Sequence, residues 1–344
     1  MKVFVIGDYR TGTGPANVTK EYLLRFPENT ARLIFKSKPL RAIEIIFKMP
    51  FCSVVLISGY SRQNLLALKW AGVLNKPCAY LMHGCVEHEN AINDCVNETM
   101  SLTERKTMEK SDAIYAVSNR FAAWLKTNYP EYSDKISAAV NGVDTRLIEN
   151  MDGFHGIRAG GRDKNMIFTI GGGMPRKKIK HICAAVELIN RKVGEPGLRL
   201  VVAGDKGKDD EAINSYPFVE NLGLVDSAIT KGLYREASLF VQNSCFETFG
   251  LAPMEALVNG CSILVSKETG AIELFRELED GDVIDNWYDD AEIAFKIEAL
   301  LKKGNASRLT QSFDKESSSW EERTMELWKK LQDLLTEKRT AAVR

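Results

Sequence analysis

Short apolar runs rich in β-branched residues recur along this chain, and a segment with helical periodicity follows each of them. This alternation is typical of βαβ units, which build a parallel sheet with helices on both faces. Ten strands are predicted, at residues 3–6, 53–57, 78–82, 113–117, 136–140, 166–170, 199–203, 239–241, 262–265 and 283–284. Five lie in each half, so the pattern predicts an α/β fold with two doubly wound, Rossmann-like domains.

The length of 344 residues supports two domains, because one hydrophobic core rarely serves more than about 250 residues. Residues 151–165 are rich in glycine, carry both charge signs and show no period, which predicts a linker between domains at 1–150 and 166–315. In the remaining segment, 316–344, Trp320 and three leucines share one helical face. It is predicted to be a C-terminal helix that is free to cross back to the first domain.

Charge and cysteine content exclude several classes of protein. The 46 basic and 46 acidic side chains cancel, so no net charge attracts nucleic acid. The uncharged stretch at 49–61 falls short of the roughly 20 residues that span a bilayer. The 7 cysteines form no CxxC motif, which indicates reduced thiols without disulfides or structural zinc. We therefore expect a cytoplasmic protein.

A basic and apolar segment lies in the first half. Lys36, Lys38, Arg41 and Lys48 interleave with isoleucine, leucine and phenylalanine. Two interpretations remain open at this point: a surface that contacts the inner face of the plasma membrane peripherally, and an ordinary helix that buries its apolar residues against a sheet.

A glycine-rich turn follows the first strand. Gly12 and Gly14 stand between that strand and a helical segment, where free N–H groups and the positive end of a helix dipole favour phosphate. A dinucleotide site is disfavoured, because Asn17 occupies the third glycine position and no acidic residue ends the second strand region. A plain tight turn remains the alternative.

Two carboxylates, Glu247 and Glu255, lie eight residues apart. Gly250 permits a sharp turn between them, and a helix that begins near Leu251 would present unpaired N–H groups beside Glu247. A diphosphate could then bind these amides while the carboxylates accept hydrogen bonds from sugar hydroxyls. The alternative is that Glu255 only favours the helix dipole.

This motif, with Glu247-Thr248-Phe249-Gly250 followed by Glu255-Ala256, resembles the Glu-x7-Glu signature of retaining glycosyltransferases of the GT-B fold, family four. The likeness is strong over the second half and loose over the first. Similar features occur in the family's order at residues 141–144, 170–172, 233–237, 260–265 and 270–273.

The resemblance implies that the two domains face each other across a cleft, with the acceptor on the first and a nucleoside diphosphate sugar on the second. By resemblance Glu255 would hold the ribose and Glu247 the donor sugar. The backbone at Gly250 and Leu251 would hold the diphosphate, and the neighbouring Phe249 is included in the donor site. His83, at the end of a predicted strand, would lie beside the transferred sugar.

The family also supports the phosphates with a basic pair from the loop that begins at Gly171. Lys177 matches the lysine of that pair, but Gly172 occupies the arginine position. Arg176 or Lys178 could supply the missing charge from a shifted position.

The resemblance implies a retaining glycosyltransferase of hexosyltransferase type, with Glu247, His83 and Lys177 as catalytic residues. Its acceptor would be a saccharide or a lipid-linked saccharide in bacterial-type polysaccharide or glycolipid assembly. No metal and no cofactor are expected besides the nucleoside diphosphate sugar as co-substrate, because Asp280-Gly281-Asp282 is interpreted as a polar turn. The alternatives are a catalytically silent nucleotide-sugar binding protein and a sugar epimerase or phosphorylase on the same fold.

Overall fold

The computed structural model describes residues 1–145, 161–193 and 196–343. Its strands and helices alternate along the chain, and every strand pair within its two sheets is parallel. Two six-stranded sheets result, one from each half of the chain. The expected fold class, α/β with two doubly wound Rossmann-like units, is thereby confirmed.

The first sheet has the strand order β2-β1-β3-β4-β5-β6. Its strands are β1 (Val3–Gly7), β2 (Ala31–Arg32), β3 (Val54–Ser58), β4 (Cys78–Met82), β5 (Ala113–Ala116) and β6 (Ile136–Ala138). The helices that alternate with them are α1 (Gly14–Arg25), α2 (Lys38–Lys48), α3 (Asn64–Val73), α4 (Val86–Ile92), α5 (Glu98–Lys110) and α6 (Asn119–Asn128), with 3₁₀ turns at Met49–Phe51 and Pro130–Lys135. Strands β3 and β4 are buried throughout, as continuous apolar runs require in a sheet covered on both faces.

The second sheet has the order β12-β11-β10-β7-β8-β9. Its strands are β7 (Asp163–Ile170), β8 (Arg199–Ala203), β9 (Val219–Gly223), β10 (Ala237–Gln242), β11 (Ser262–Ser266) and β12 (Val283–Ile284). Its helices are α7 (Ile179–Val193), α8 (Asp210–Asn214), α9 (Ser227–Glu236), α10 (Leu251–Val258), α11 (Asp290–Lys303) and α12 (Ala306–Ser312), with 3₁₀ turns at Pro175–Lys177, Gly270–Leu274 and Asp280–Asp282. Helix α13 (Trp320–Val343) ends the chain.

Several helices begin at an aspartate or serine because its side chain accepts from the helix's first free N–H groups. Asp226 accepts from the N–H groups of Ala228 and Ile229 at 2.8 and 2.9 Å and so starts α9. Asp289 caps α11 in the same way. These caps determine the residue at which each helix begins. They therefore determine which residues remain in the loops at the edge of the sheet.

Contacts divide the chain into two compact units. The first comprises Met1–Ala91, Cys95–Gly142 and Ser319–Arg344, and the second comprises Ile92–Asp94 and Val143–Ser318. Helix α13 thus belongs to the first unit, although it follows the second in sequence. Residues 146–160, which include most of the predicted linker, lie outside the described residues, and β7 begins at Asp163 within the remainder.

Helix α13 packs on the first unit through aromatic and leucine side chains. Trp320 meets the ring of Tyr22 edge-on at 5.4 Å between centroids, and Trp328 meets Phe26 at 5.2 Å. Leu327 and Leu331 are fully buried beneath the helix. Helix α13 therefore contributes to the first unit's core.

Among the described residues, no helix combines the length and apolar character needed to cross a bilayer.

We expect Leu331→Ala to lower the free energy of unfolding by about 2–5 kcal/mol, because it removes fully buried methyl groups and leaves a cavity. Met325→Ala, on the same helix but 59% exposed, is the matched control and should change it by less than about 0.5 kcal/mol. Urea denaturation followed by circular dichroism measures both. Equal effects of the two substitutions would show that α13 does not belong to the core.

Candidate active site

The candidate site of the second unit lies where the strand order reverses. Strand β7 is flanked by β8 on one side and by β10 on the other, so the loops after β7 and β10 diverge in opposite directions. Open parallel sheets bind ligands in the crevice at the carboxyl ends of such strands. The loop that follows β7 carries Gly171 to Lys178, and the segment that follows β10 carries Glu247 to Leu251.

Backbone contact with the end of β8 fixes the first of these loops. Gly172 has a φ of +53°, and a Cβ atom there would overlap the carbonyl oxygen of Asp205. A Cβ on Gly173 would lie 2.6 Å from the nitrogen of Gly207. The arginine that the resemblance leads one to expect at Gly172 is therefore excluded, because the position has neither the conformation nor the space for a side chain.

Two cations from the same loop converge on one carboxylate. The Lys177 ammonium donates a hydrogen bond to Glu247 Oε2, and Arg176 Nη1 lies 3.7 Å from the same oxygen. The Ser244 hydroxyl also donates to it at 3.5 Å. The Glu247 side chain is only 12% exposed, so this carboxylate depends on its cationic partners.

Burial by itself would raise the pKa of Glu247, but the positive charges of Lys177 and Arg176 outweigh it and hold the pKa below its ordinary value. The carboxylate is therefore ionised at neutral pH. The cluster of Glu247, Lys177 and Arg176 has a net charge of +1.

The two loops are also joined through their backbones. The N–H of Cys245 donates to the carbonyl of Arg176 at 2.9 Å, and Arg176 Nη1 donates to the carbonyl of Phe246 at 3.2 Å. Lys178 follows a different course, with a left-handed φ of +50° and its ammonium 4.8 Å from the centroid of the Tyr288 ring. Of the three predicted basic residues, the structure thus brings Arg176 and Lys177, but not Lys178, to Glu247.

The turn between the two acids ends in an uncapped helix. Gly250 has a φ of +93°, and a Cβ there would lie 2.8 Å from Thr269 Cγ2, so glycine is required. The carbonyl of Phe249 accepts from Ala271 at 2.7 Å, which fixes the turn against the next loop. Helix α10 begins at Leu251 with no side-chain cap, and the N–H groups of its first turn have no acceptor within the helix. This terminus can bind an anion.

Glu255 is one turn further along α10, and although the residue is exposed to solvent, many protein atoms lie around its carboxyl group. The hydroxyl of Tyr234, itself fully buried, donates to Glu255 Oε2 at 3.3 Å. Desolvation by the surrounding protein raises the pKa of Glu255, while the Tyr234 hydrogen bond and the charge of Lys231 oppose the rise. Its remaining lone pairs can accept hydrogen bonds from a diol.

The predicted residues of the first unit occupy the corresponding edge of its sheet. Gly12 lies in the loop between β1 and α1, and Gly14 is the first residue of α1. His83 follows β4, and its Nε2 is hydrogen-bonded to the Ser58 hydroxyl at 2.9 Å. Burial lowers the pKa of His83 to about 4, so the imidazole is neutral at physiological pH.

Sequence reasoning missed the residues that orient these side chains. Tyr234, Ser244 and Ser58 were not predicted to take part, because polar residues on separate elements carry no local spacing signal.

The Asp280-Gly281-Asp282 segment forms a 3₁₀ turn. Asp282, which is 1% exposed, accepts a hydrogen bond from Arg308 at 2.6 Å. Asp282 therefore anchors helix α12.

Residues 156–319 match the family model described as "Glycosyl transferases group 1". This part of the chain is a group 1 glycosyltransferase domain, and the two doubly wound units correspond to the GT-B fold.

Two curated proteins and one solved structure define the similarity further. The chain is 27% identical over 213 residues, 57% of its length, to D-inositol 3-phosphate glycosyltransferase of Segniliparus rotundus, and 22% identical over 239 residues, 68% of its length, to alpha-1,3/1,6-mannosyltransferase alg-2 of Neurospora crassa. The matches span 46% and 45% of those proteins, about half of each. HepE of Anabaena, solved with UDP and glucose, has 13% identity and a TM-score of 0.71, with 97% of this chain and 100% of that one covered.

We expect Gly172→Ala to destabilise the protein by at least about 2 kcal/mol more than Gly223→Ala, because only Gly172 adds a steric overlap to its left-handed φ. Gly223 has a φ of +64° but open space around it, which makes it a control for backbone strain alone. Chemical denaturation of the two variants measures the difference. Equal losses would contradict the steric exclusion of a side chain at residue 172.

Proposed function

We propose that this protein is a retaining glycosyltransferase of hexosyltransferase type that moves a sugar from a nucleoside diphosphate sugar to an acceptor hydroxyl. One observation carries the proposal: Glu247 is held by Lys177 and Arg176 directly before the uncapped N-terminus of α10. The group 1 domain and the two curated glycosyltransferase relatives support the same activity.

The charges of this cluster suit a diphosphate. Glu247 offsets one of the two positive charges, which leaves the cluster with a net charge of +1. This charge and the amides at Leu251 and Ala252 would attract an anion together. As the bond from the anomeric carbon to the diphosphate breaks, negative charge grows on the phosphate oxygens. Lys177 and Arg176 would then stabilise the leaving group more strongly than the bound donor, which is the condition for catalysis.

The ionised state of Glu247 supports a reaction that retains the configuration at the anomeric carbon. Because two cations lower its pKa, this carboxylate is a weak general base. We therefore assign the acceptor proton to an oxygen of the departing diphosphate, while the acceptor oxygen bonds to the anomeric carbon on the face that the leaving group vacates. Glu247 would accept hydrogen bonds from hydroxyls of the donor sugar.

The other predicted residues are proposed to bind the two substrates. Glu255, oriented by Tyr234, would accept hydrogen bonds from the ribose diol. Neutral His83 can form a hydrogen bond with a sugar hydroxyl, and Gly12 and Gly14 are proposed to contribute to the donor site. The roles of Lys178 and Phe249 remain predictions.

We propose a saccharide or a lipid-linked saccharide as the acceptor, in polysaccharide or glycolipid assembly in the cytoplasm. The names of the curated relatives, one acting on an inositol phosphate and one a mannosyltransferase, support a sugar-like acceptor.

Nucleoside diphosphates are expected to stabilise the protein by about 2.7 kcal/mol when present at a hundredfold excess over their dissociation constant. UDP, GDP and ADP, each tested by thermal shift, identify the base. Glu255→Ala should abolish the shift because the ribose loses its acceptor, whereas Glu211→Ala, an exposed acid on α8, should leave it unchanged. A normal shift in the Glu255 variant would remove this residue from the nucleotide site.

Glu247→Gln and Lys177→Ala are expected to separate binding from transfer. The glutamine removes the negative charge beside the two cations, so the affinity for the nucleoside diphosphate should be unchanged or higher while transfer falls by about a hundredfold or more. Lys177→Ala should weaken both. Calorimetry and a donor-consumption assay measure the two quantities. Binding of the sugar nucleotide by the unmodified protein with neither hydrolysis nor transfer would indicate the silent binding protein instead.

A further inference from the structure

Exposed apolar side chains are concentrated in one short segment of the first unit. Of the 17 large hydrophobic residues that are exposed in the described part of the chain, seven lie between residues 34 and 51. They are Ile34, Phe35, Leu40, Ile43, Ile46, Phe47 and Phe51, here called the apolar patch. A concentration of exposed apolar side chains on a protein surface indicates an interaction site.

The structure shows that helix α2 is not an ordinary helix that buries its apolar residues against the sheet. Helix α2 buries only Glu44 and Ile45, so it does not direct most of its apolar residues into the core. Leu40, Ile43 and Phe47 follow the i, i+3, i+7 spacing of a single helical face and are 42%, 49% and 69% exposed. The helix is therefore attached along one face and presents a second apolar face to the outside.

The charges around the patch are predominantly positive. Lys36 and Lys38 are exposed, and no carboxylate lies within ion-pair distance of either among the described residues. Lys48 pairs with Glu44 at 2.5 Å, and Arg41 lies 4.0 Å from Asp8. Two lysines thus remain available to an external anion.

The single acidic residue of the segment is turned inward. Glu44 is 5% exposed and accepts hydrogen bonds from the backbone N–H groups of Ile34 at 2.9 Å and Phe35 at 2.9 Å. Its charge is therefore used to fold the segment and is not displayed beside the lysines. Of the neighbouring acids, Asp8 is engaged by Arg41, and Glu28 lies at the margin next to Phe47 and Phe51.

We propose that the apolar patch, together with Lys36 and Lys38, docks the first unit onto the surface of an anionic lipid bilayer. Phenylalanine, isoleucine and leucine side chains enter the boundary between headgroups and acyl chains, while lysines attract anionic headgroups. A second copy of the chain fits less well, because a symmetric contact through the patch would place the lysines of both copies together. The patch belongs to the first unit and shares no residue with the Glu247 and Glu255 site of the second, so the inference does not depend on the proposed transferase activity.

Flotation of the intact protein with vesicles tests the proposal. At low salt it should bind vesicles of phosphatidylcholine with one quarter phosphatidylglycerol, and binding should fall about tenfold or more on pure phosphatidylcholine or at high salt. Phe47→Ser combined with Ile43→Ser, and separately Lys36→Glu combined with Lys38→Glu, should each reduce binding about tenfold or more.

Phe295→Ser is the matched control, because Phe295 is 72% exposed, close to the 69% of Phe47, and belongs to the second unit. It should leave binding unchanged.

The proposal is overturned if the unmodified protein fails to float with anionic vesicles at low salt, if both vesicle types bind equally, or if Phe295→Ser weakens binding as much as the patch variants. Light scattering that shows a dimer lost in the patch variants would assign the surface to a second copy instead. Transfer to a soluble saccharide and nucleotide binding are measured on the same variants, so a failure of the transferase proposal is detected separately.

Discussion

A carboxylate buried among charged partners organises the second unit. Glu247 cannot remain ionised at 12% exposure without cations, and Lys177 and Arg176 meet this requirement from a loop that follows a different strand. The same contact joins the loops after β7 and β10 across the point where the strand order reverses. The Glu247 that holds these two positive charges directly precedes an uncapped helix terminus in the turn, so the interaction that joins the loops also prepares an anion site.

Close packing around two glycines determines which residue can supply the second positive charge beside Glu247. Gly172 and Gly173 lie against the backbone at Asp205 and Gly207, which leaves no room for a side chain at residue 172. A cation is therefore supplied four positions later, by Arg176, whose carbonyl and guanidinium are both hydrogen-bonded to the neighbouring loop. The departure from the family pattern at Gly172 thus has a steric cause in the loop that follows β8.

Ten of the strands could be predicted from the sequence because apolar, β-branched runs of this length are rare outside a buried parallel sheet. Strands β2 and β9 were missed. Ala31–Arg32 is only two residues long, Val219–Gly223 has two polar residues and a glycine, and both strands lie at the edge of their sheets. The acidic pair was found through its spacing around Gly250. Tyr234 and Ser244 were not, because they act on it from other elements and only the sheet brings them close.

The sequence alone determined the alternation of strands and helices, the glycine turn between the two acids and the apolar face of α13, because periodicity and backbone freedom are local properties. Only the tertiary structure decided that Arg176 rather than Lys178 accompanies Lys177 at Glu247, that α13 completes the first unit, and that α2 leaves most of its apolar residues exposed. Each of these outcomes depends on which distant surface a side chain meets. That is set by the order of strands in a sheet, which no local pattern encodes.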